Sequence, residues 1–185
     1  MSKFRYFVFN KPYGIVSQFT GEVPSETLSV FNLPKGLYAA GRLDKDSEGL
    51  LLLTNDGDFI NKLINPKFEK EKTYHVQVEN IPTQESLTKL KNGLAIEDYV
   101  TKKCQAKVLT DINYPPRTPP IRERKTIPTC WLEIKITEGK NRQVRKMTAK
   151  IGHPTLRLIR VQIGKLSIGD LASGEFREIK KEEII

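Results

Sequence analysis

Cysteine is scarce in this chain. Cys104 and Cys130 are the only two, and they share no metal-binding or redox spacing. A disulfide framework is therefore excluded, and two isolated thiols suit a reduced, cytoplasmic compartment. Long apolar runs are missing too. None approaches the roughly 20 residues that a membrane-spanning helix needs. The opening Met-Ser-Lys-Phe-Arg-Tyr has no apolar core of the kind a secretory leader carries. A cytoplasmic protein without membrane attachment is expected.

Acidic residues are scarce in one region only. The 185 residues carry 31 Lys and Arg against 22 Asp and Glu, a net charge of +9. Residues 101–160 hold 15 of the bases and 4 of the acids, a net of +11, and the remainder is close to neutral at −2. Solubility alone does not require charge to be concentrated in a third of the chain. A polyanion, RNA or DNA, is the partner this pattern implies. A chain of this length buries enough surface for one or two small domains.

The most informative stretch is Gly41-Arg42-Leu43-Asp44-Lys45-Asp46-Ser47-Glu48-Gly49, followed by Leu50 to Leu53 and Thr54-Asn55-Asp56-Gly57. A polar loop bounded by glycines feeds an apolar run too short for a helix, and a turn closes it. Loops carried by rigid strands are where catalytic side chains tend to sit. Asp44, Asp46 and Glu48 imitate the start of a calcium loop. That motif ends in a bidentate Glu at its twelfth position, where this chain has Asn55, and calcium is excluded.

The rest of the chain reads as short alternating elements. Phe4 to Phe9 is a strand, stopped at Asn10-Lys11-Pro12, since proline lacks the amide donor. A short helix is expected around Thr27 to Phe31, and a strand over Leu37 to Ala40. Asp58 is the expected cap of a helix reaching Ile64, with Phe59 and Leu63 inward. Residues 67–72 are expected to be a charged, mobile segment. Thr73 to Glu79 alternates, with Tyr74, Val76 and Val78 on one face and His75, Gln77 and Glu79 on the other. Thr83 caps a helix to Asn92 that Gly93 ends. Short strands fill 94–112.

Residues 113–128 contain five of the eleven prolines, interleaved with Arg117, Arg122, Arg124 and Lys125 against one acid, Glu123. Proline limits the disorder of a loop and arginine offers a planar fork for phosphate, so an RNA-contacting loop is expected. Cys130 to Thr137 is a strand. Asn141 is the expected cap of a helix to Lys150, with Val144, Met147 and Ile151 buried. Arg142, Lys146 and Lys150 follow at i, i+4 and i+8 with Arg145 beside them. Like charges at that spacing repel, so a counter-anion is expected from RNA and from Asp44. Leu156 to Ile163 is a last long strand. His75 and His153 are expected to be structural.

The seventeen positions 41–57 resemble the catalytic signature of the pseudouridine synthases, and of the branch that modifies ribosomal RNA, the ribosomal small-subunit synthase A branch. Lys72-Thr73-Tyr74, the run from Glu138 to Met147, Leu158-x-Arg160, and the C-terminal Ile168 to Leu171 and Gly174 to Arg177 resemble further motifs of that family. The likeness spans residues 6–179. It implies an α+β fold, a bent and largely antiparallel mixed sheet with flanking helices, in one catalytic domain of two lobes around an RNA cleft. Many members carry a small S4 RNA-binding domain in front of Asn10-Lys11-Pro12, and none is expected here.

By resemblance, Asp44 is the catalytic carboxylate, Arg145 pairs with it and keeps it ionised, and Tyr74 lies against the target base. Arg42 fills the space left by the flipped uridine. Lys11, Leu158 and Arg160 line the site, and Arg142 and Lys146 join Arg117, Arg122, Arg124 and Lys125 in holding RNA. The implied reaction breaks the uracil N1 to ribose C1′ bond and re-forms the link at C5, in large-subunit (23S) ribosomal RNA, by a monomer with no metal or organic cofactor. An aspartate can attack either the base or the ribose carbon. Two other readings are an RNA-binding or ribosome-assembly factor without catalysis, and a glycosidic hydrolase. The hydrolase would need a second positioned carboxylate, for which only Asp46 and Glu48 are near.

Overall fold

The computed structural model describes residues 4–122 and 124–184. Glu123, the single acid of the proline-rich stretch, lies outside them. In chain order the strands are β1 Tyr6–Lys11, β2 Tyr38–Ala39, β3 Glu48–Thr54, β4 Lys72–Glu79, β5 Ala95–Ile96, β6 Tyr99–Val100, β7 Gln105–Leu109, β8 Thr129–Ile136, β9 Thr155–Ile163, β10 Leu166–Ser167 and β11 Phe176–Ile179. The α-helices are α1 Gly57–Ile64, α2 Gln84–Asn92 and α3 Gln143–Lys150. The chain forms two compact units, Met1–Lys70 with Arg160–Ile185, and Glu71–Ile159.

In the first unit β1 lies between β3 and β11, antiparallel to both, with Phe9 opposite Leu51 and Lys11 opposite Gly49. Both faces of this layer are covered. Tyr6, Val8, Leu50 and Leu52 pack with Phe59 and Leu63 of α1, and with Ile163 and Ile179. Phe7, Phe9, Leu51 and Leu53 pack on the other side with Leu28, Leu37 and Leu43. Two covered faces are why β3 reads as an unbroken apolar run rather than an alternation. Each of its leucines, fully buried, contributes roughly 1.5–3 kcal/mol.

In the second unit the apolar core lies on one face of the sheet. β4 pairs antiparallel with β8, and β8 with β7, so that Val76, Leu132 and Val108 form one cross-strand row. Tyr74, Val76, Val78, Leu132 and Ile134 face a core completed by Leu87 and Leu90 of α2 and by Val144 and Met147 of α3. The opposite face carries the polar partners, and this is the alternation seen in the sequence.

Three local expectations change. The cap of α1 is Asp56, whose side chain accepts the Phe59 amide at 3.0 Å, and Asp58 falls in the first turn. Asp56 lies where the chain is still extended, as a cap must. Helix α3 starts at Gln143 rather than after Asn141. Arg142 precedes it in the left-handed region, φ 51°, without a side-chain cap. The 67–72 segment opens on a single 3-10 turn, Pro66–Phe68, which Asn65 caps through the Lys67 amide.

Candidate active site

In the first unit Asp44 is half-buried on the loop between β2 and β3. Its neighbours in sequence are fixed. The Leu43 amide donates to Ser17 Oγ and the Ser17 hydroxyl donates back to the Leu43 carbonyl, both at 2.9 Å, while the Leu43 side chain sits in the core. On the other side the Gly14 amide donates to the Lys45 carbonyl at 2.8 Å, and Lys45 pairs with Glu26. The Ser47 amide closes a turn onto the Asp44 carbonyl at 3.0 Å. These ties restrict the backbone that carries the Asp44 carboxylate. Arg42, two residues earlier, is exposed.

Lys11 differs from its expected role. It is fully buried, and its Nζ donates to the carbonyls of Pro12 at 2.8 Å and Ile15 at 2.6 Å. Burial pushes its pKa down to about 8, against the opposing pull of Glu48, Asp46 and Asp44. It is a cation beneath the Asp44 loop rather than one offered to a ligand. Arg160 is buried as well, at 4 % exposure, with Nε donating to the Leu50 carbonyl at 2.9 Å. Gly49 makes this possible. A Cβ there would stand 2.3 Å from the Arg160 carbonyl oxygen, and its φ is +103°. Lys11 thus lies close enough to feel the acids of the Asp44 loop, and Arg160 close enough to oppose its charge.

In the second unit Tyr74 is 8 % exposed and belongs to the core cluster, as does Leu158. Arg145 is half-buried on α3 and Arg142 is exposed at its start. The turn before α3 is stapled by two residues of the Glu138 to Met147 run. Gln143 accepts the Lys140 amide at 3.0 Å and donates to Glu138 Oε2 at 2.7 Å, and that carboxylate also accepts the Lys102 amide at 2.8 Å. Lys146 has a counter-anion inside the unit, Glu97 at 2.9 Å, where the sequence led to the expectation of RNA and Asp44.

On the 113–128 stretch, Arg122, Arg124 and Lys125 are exposed. Arg117 donates to the carbonyls of Pro119 and Pro120, and Arg124 lies 3.5 Å from Glu79. His153 is buried with Nδ1 3.1 Å from the Glu79 carbonyl. Sequence reasoning missed the roles of Ser17, Glu138 and Gln143. The last two stood in a quoted motif, where their polar side chains bounding a Gly-containing turn were the available signal. Among the described residues no group of three or more His, Cys, Asp or Glu side chains is placed to hold a metal ion. Nor is any helix among them long and apolar enough to cross a membrane.

Residues 5–150 match the family model described as RNA pseudouridylate synthase. The chain belongs to this family. It is 50 % identical over 175 residues to the ribosomal large subunit pseudouridine synthase E of Vibrio vulnificus, covering 95 % of this chain and 75 % of the relative. It is 51 % identical over 168 residues to the protein of that name from Xanthomonas axonopodis pv. citri, covering 89 % and 88 %. A crystal structure of a pseudouridylate synthase superposes with a TM-score of 0.81 at 29 % identity, over all of this chain and 74 % of that one. The α+β architecture of this synthase is that of the family.

Proposed function

We propose that this synthase isomerises a uridine of large-subunit (23S) ribosomal RNA, with Asp44 as the catalytic carboxylate. The carrying observation is Asp44 itself, a motif carboxylate on a loop whose backbone is tied on both sides of it. Relatives named ribosomal large subunit pseudouridine synthase E support the RNA class. In the reaction the N1–C1′ bond breaks, the base turns, and a C5–C1′ bond forms. The C5 proton leaves to solvent while N1 gains one, so atoms and charge balance without a redox partner.

Tyr74 and Arg145 act with Asp44 in this proposal, and the motifs that contain them are the support. Arg42 occupies the vacated stack, with Leu158 and Arg160 shaping the site from inside. Arg122, Lys125 and Arg142, and with them Arg117, Arg124 and Lys146, meet phosphates. The two units serve as one catalytic domain, working as a monomer in the cytoplasm. Ribosomal RNA labelled with tritium at uridine C5 tests the reading. Release of tritium without free uracil is expected. Free uracil identifies a hydrolase, and neither product identifies a binding factor.

A further inference from the structure

We propose that Tyr114 is a positioning residue for RNA: docked on the outward face of β4 and β8, it pre-orders the proline- and arginine-rich stretch that follows it. This rests on the reading that the stretch meets RNA phosphates.

The outward face of β4 and β8 holds more than alternation requires. His75 lies opposite Glu133 and Gln77 opposite Trp131. Trp131 is the only tryptophan of the chain, set among polar neighbours on the side away from the core. Tyr114 covers it, with ring centroids 5.0 Å apart and planes at 45°. The same ring meets His75 edge-on at 5.8 Å, and its hydroxyl is 2.5 Å from His75 Nδ1. His75 Nε2 faces Glu133 at 3.6 Å, and Lys107 holds the other oxygen of that carboxylate at 3.3 Å. Burial lowers the His75 pKa, with Glu133 opposing. A neutral imidazole directing Nε2–H toward Glu133 presents Nδ1 as an acceptor, and the Tyr114 hydroxyl donates to it. Arg157 completes the clamp, with its guanidinium 5.7 Å from the Tyr114 ring centroid and Nη1 donating to the Pro115 carbonyl at 2.7 Å.

Further anchors lie along the stretch. Arg117 folds onto the carbonyls of Pro119 and Pro120, and the Asn80 amide holds the Pro128 carbonyl at 2.8 Å. Arg122 and Lys125 stand exposed between them. A segment of this length without helix or strand needs a reason to be ordered. Aromatic stacking at its entrance supplies one at the cost of few rotatable bonds. Ordering before binding leaves less entropy to lose on binding, which raises affinity without adding a contact.

Tyr114→Ala and Tyr114→Phe test this in the full chain, with transcribed 23S ribosomal RNA as the probe. For Tyr114→Ala the RNA Kd and KM should rise together, by roughly 10-fold, with kcat unchanged. The log–log salt slope should stay that of the parent, because the phosphate contacts are all still made. Trypsin should cut the free variant faster after Arg117, Arg122 and Arg124, and Trp131 emission should move to longer wavelength. Tyr114→Phe keeps the ring and should show a smaller change of the same sign. It also serves as the judging variant if Tyr114→Ala is insoluble. Faster cleavage with unchanged affinity would overturn the proposal, as would unchanged cleavage or a shallower salt slope. A parent that neither binds this RNA nor releases tritium overturns the functional reading itself, and that is seen before any variant is made.

Discussion

Asp44 sits between two fixed points of backbone, Leu43 and Lys45. Asn in its place keeps the shape and removes the carboxylate proposed to react. Asp44→Asn should lower single-turnover product formation by at least about 10³-fold, the scale of losing a reacting group, and leave RNA affinity near the parent's. Near-parental turnover would remove Asp44 from the chemistry. Lys11, beneath it, makes a separate prediction about pH. Its folded pKa, about 8, lies below its ordinary 10.5. Between those values the unfolded chain binds more protons, so stability rises with pH across this window. Below it, the buried cation is charged in both states and its burial cost is felt in full. Denaturant unfolding of the parent and of Lys11→Met should therefore diverge as pH climbs, in the parent's favour, by up to roughly 3 kcal/mol. A parent-minus-variant difference that stays flat through the window would show that Lys11 is not desolvated.

At the scale of elements, β3 and the 113–128 stretch each make a separate prediction. β3 brings Gly49 against the backbone of Arg160 at the start of the unit's second segment. Gly49→Ala adds a Cβ that must collide with backbone and requires φ near +103° of a residue that avoids it. A loss on the order of 3–4 kcal/mol is expected, read as a lower midpoint in thermal or denaturant melts. A midpoint within error of the parent's would mean that β9 yields easily. In the 113–128 stretch, the structure divides the four bases. Arg117 and Arg124 have protein acceptors, while Arg122 and Lys125 are exposed. Replacing Arg122 and Lys125 by Ala should flatten the salt dependence of RNA affinity by about 1.4 units, at roughly 0.7 per phosphate on a single strand. Replacing all four should add up to as much again. An unchanged slope in both variants would return the stretch to a plain connection between β7 and β8.

For the whole molecule, the net charge is unevenly shared. Of the +9, the unit Glu71–Ile159 carries +8 and the other unit +1. Charge concentrated in this way draws a polyanion toward the unit Glu71–Ile159. The rate constant for RNA association should fall steeply with ionic strength, while dissociation changes less. Stopped-flow measurements across a salt series check this. An association rate indifferent to salt would mean that the positive excess has no part in encounter.

Much of this arrangement was legible in the chain because it is local. Alternation over Thr73 to Glu79 and Cys130 to Thr137, the Thr83 cap with Gly93 after its helix, and the leucine run of β3 each report the environment of residues a few positions apart. The seventeen-residue motif likewise placed Asp44 on a loop entering a buried strand. Partner choice was not local. Nothing near Lys11 in sequence says that it ends under Asp46 and Glu48, and Glu97 lies 49 positions from the lysine it neutralises. Tyr114 looked like one more residue of a proline-rich loop until the fold set it on His75, 39 positions away. The sequence by itself determined which residues are apolar, where the chain turns and which motifs it carries. Only the tertiary structure decided which charges are satisfied within the protein and which stay exposed, because that depends on strands distant in sequence lying side by side.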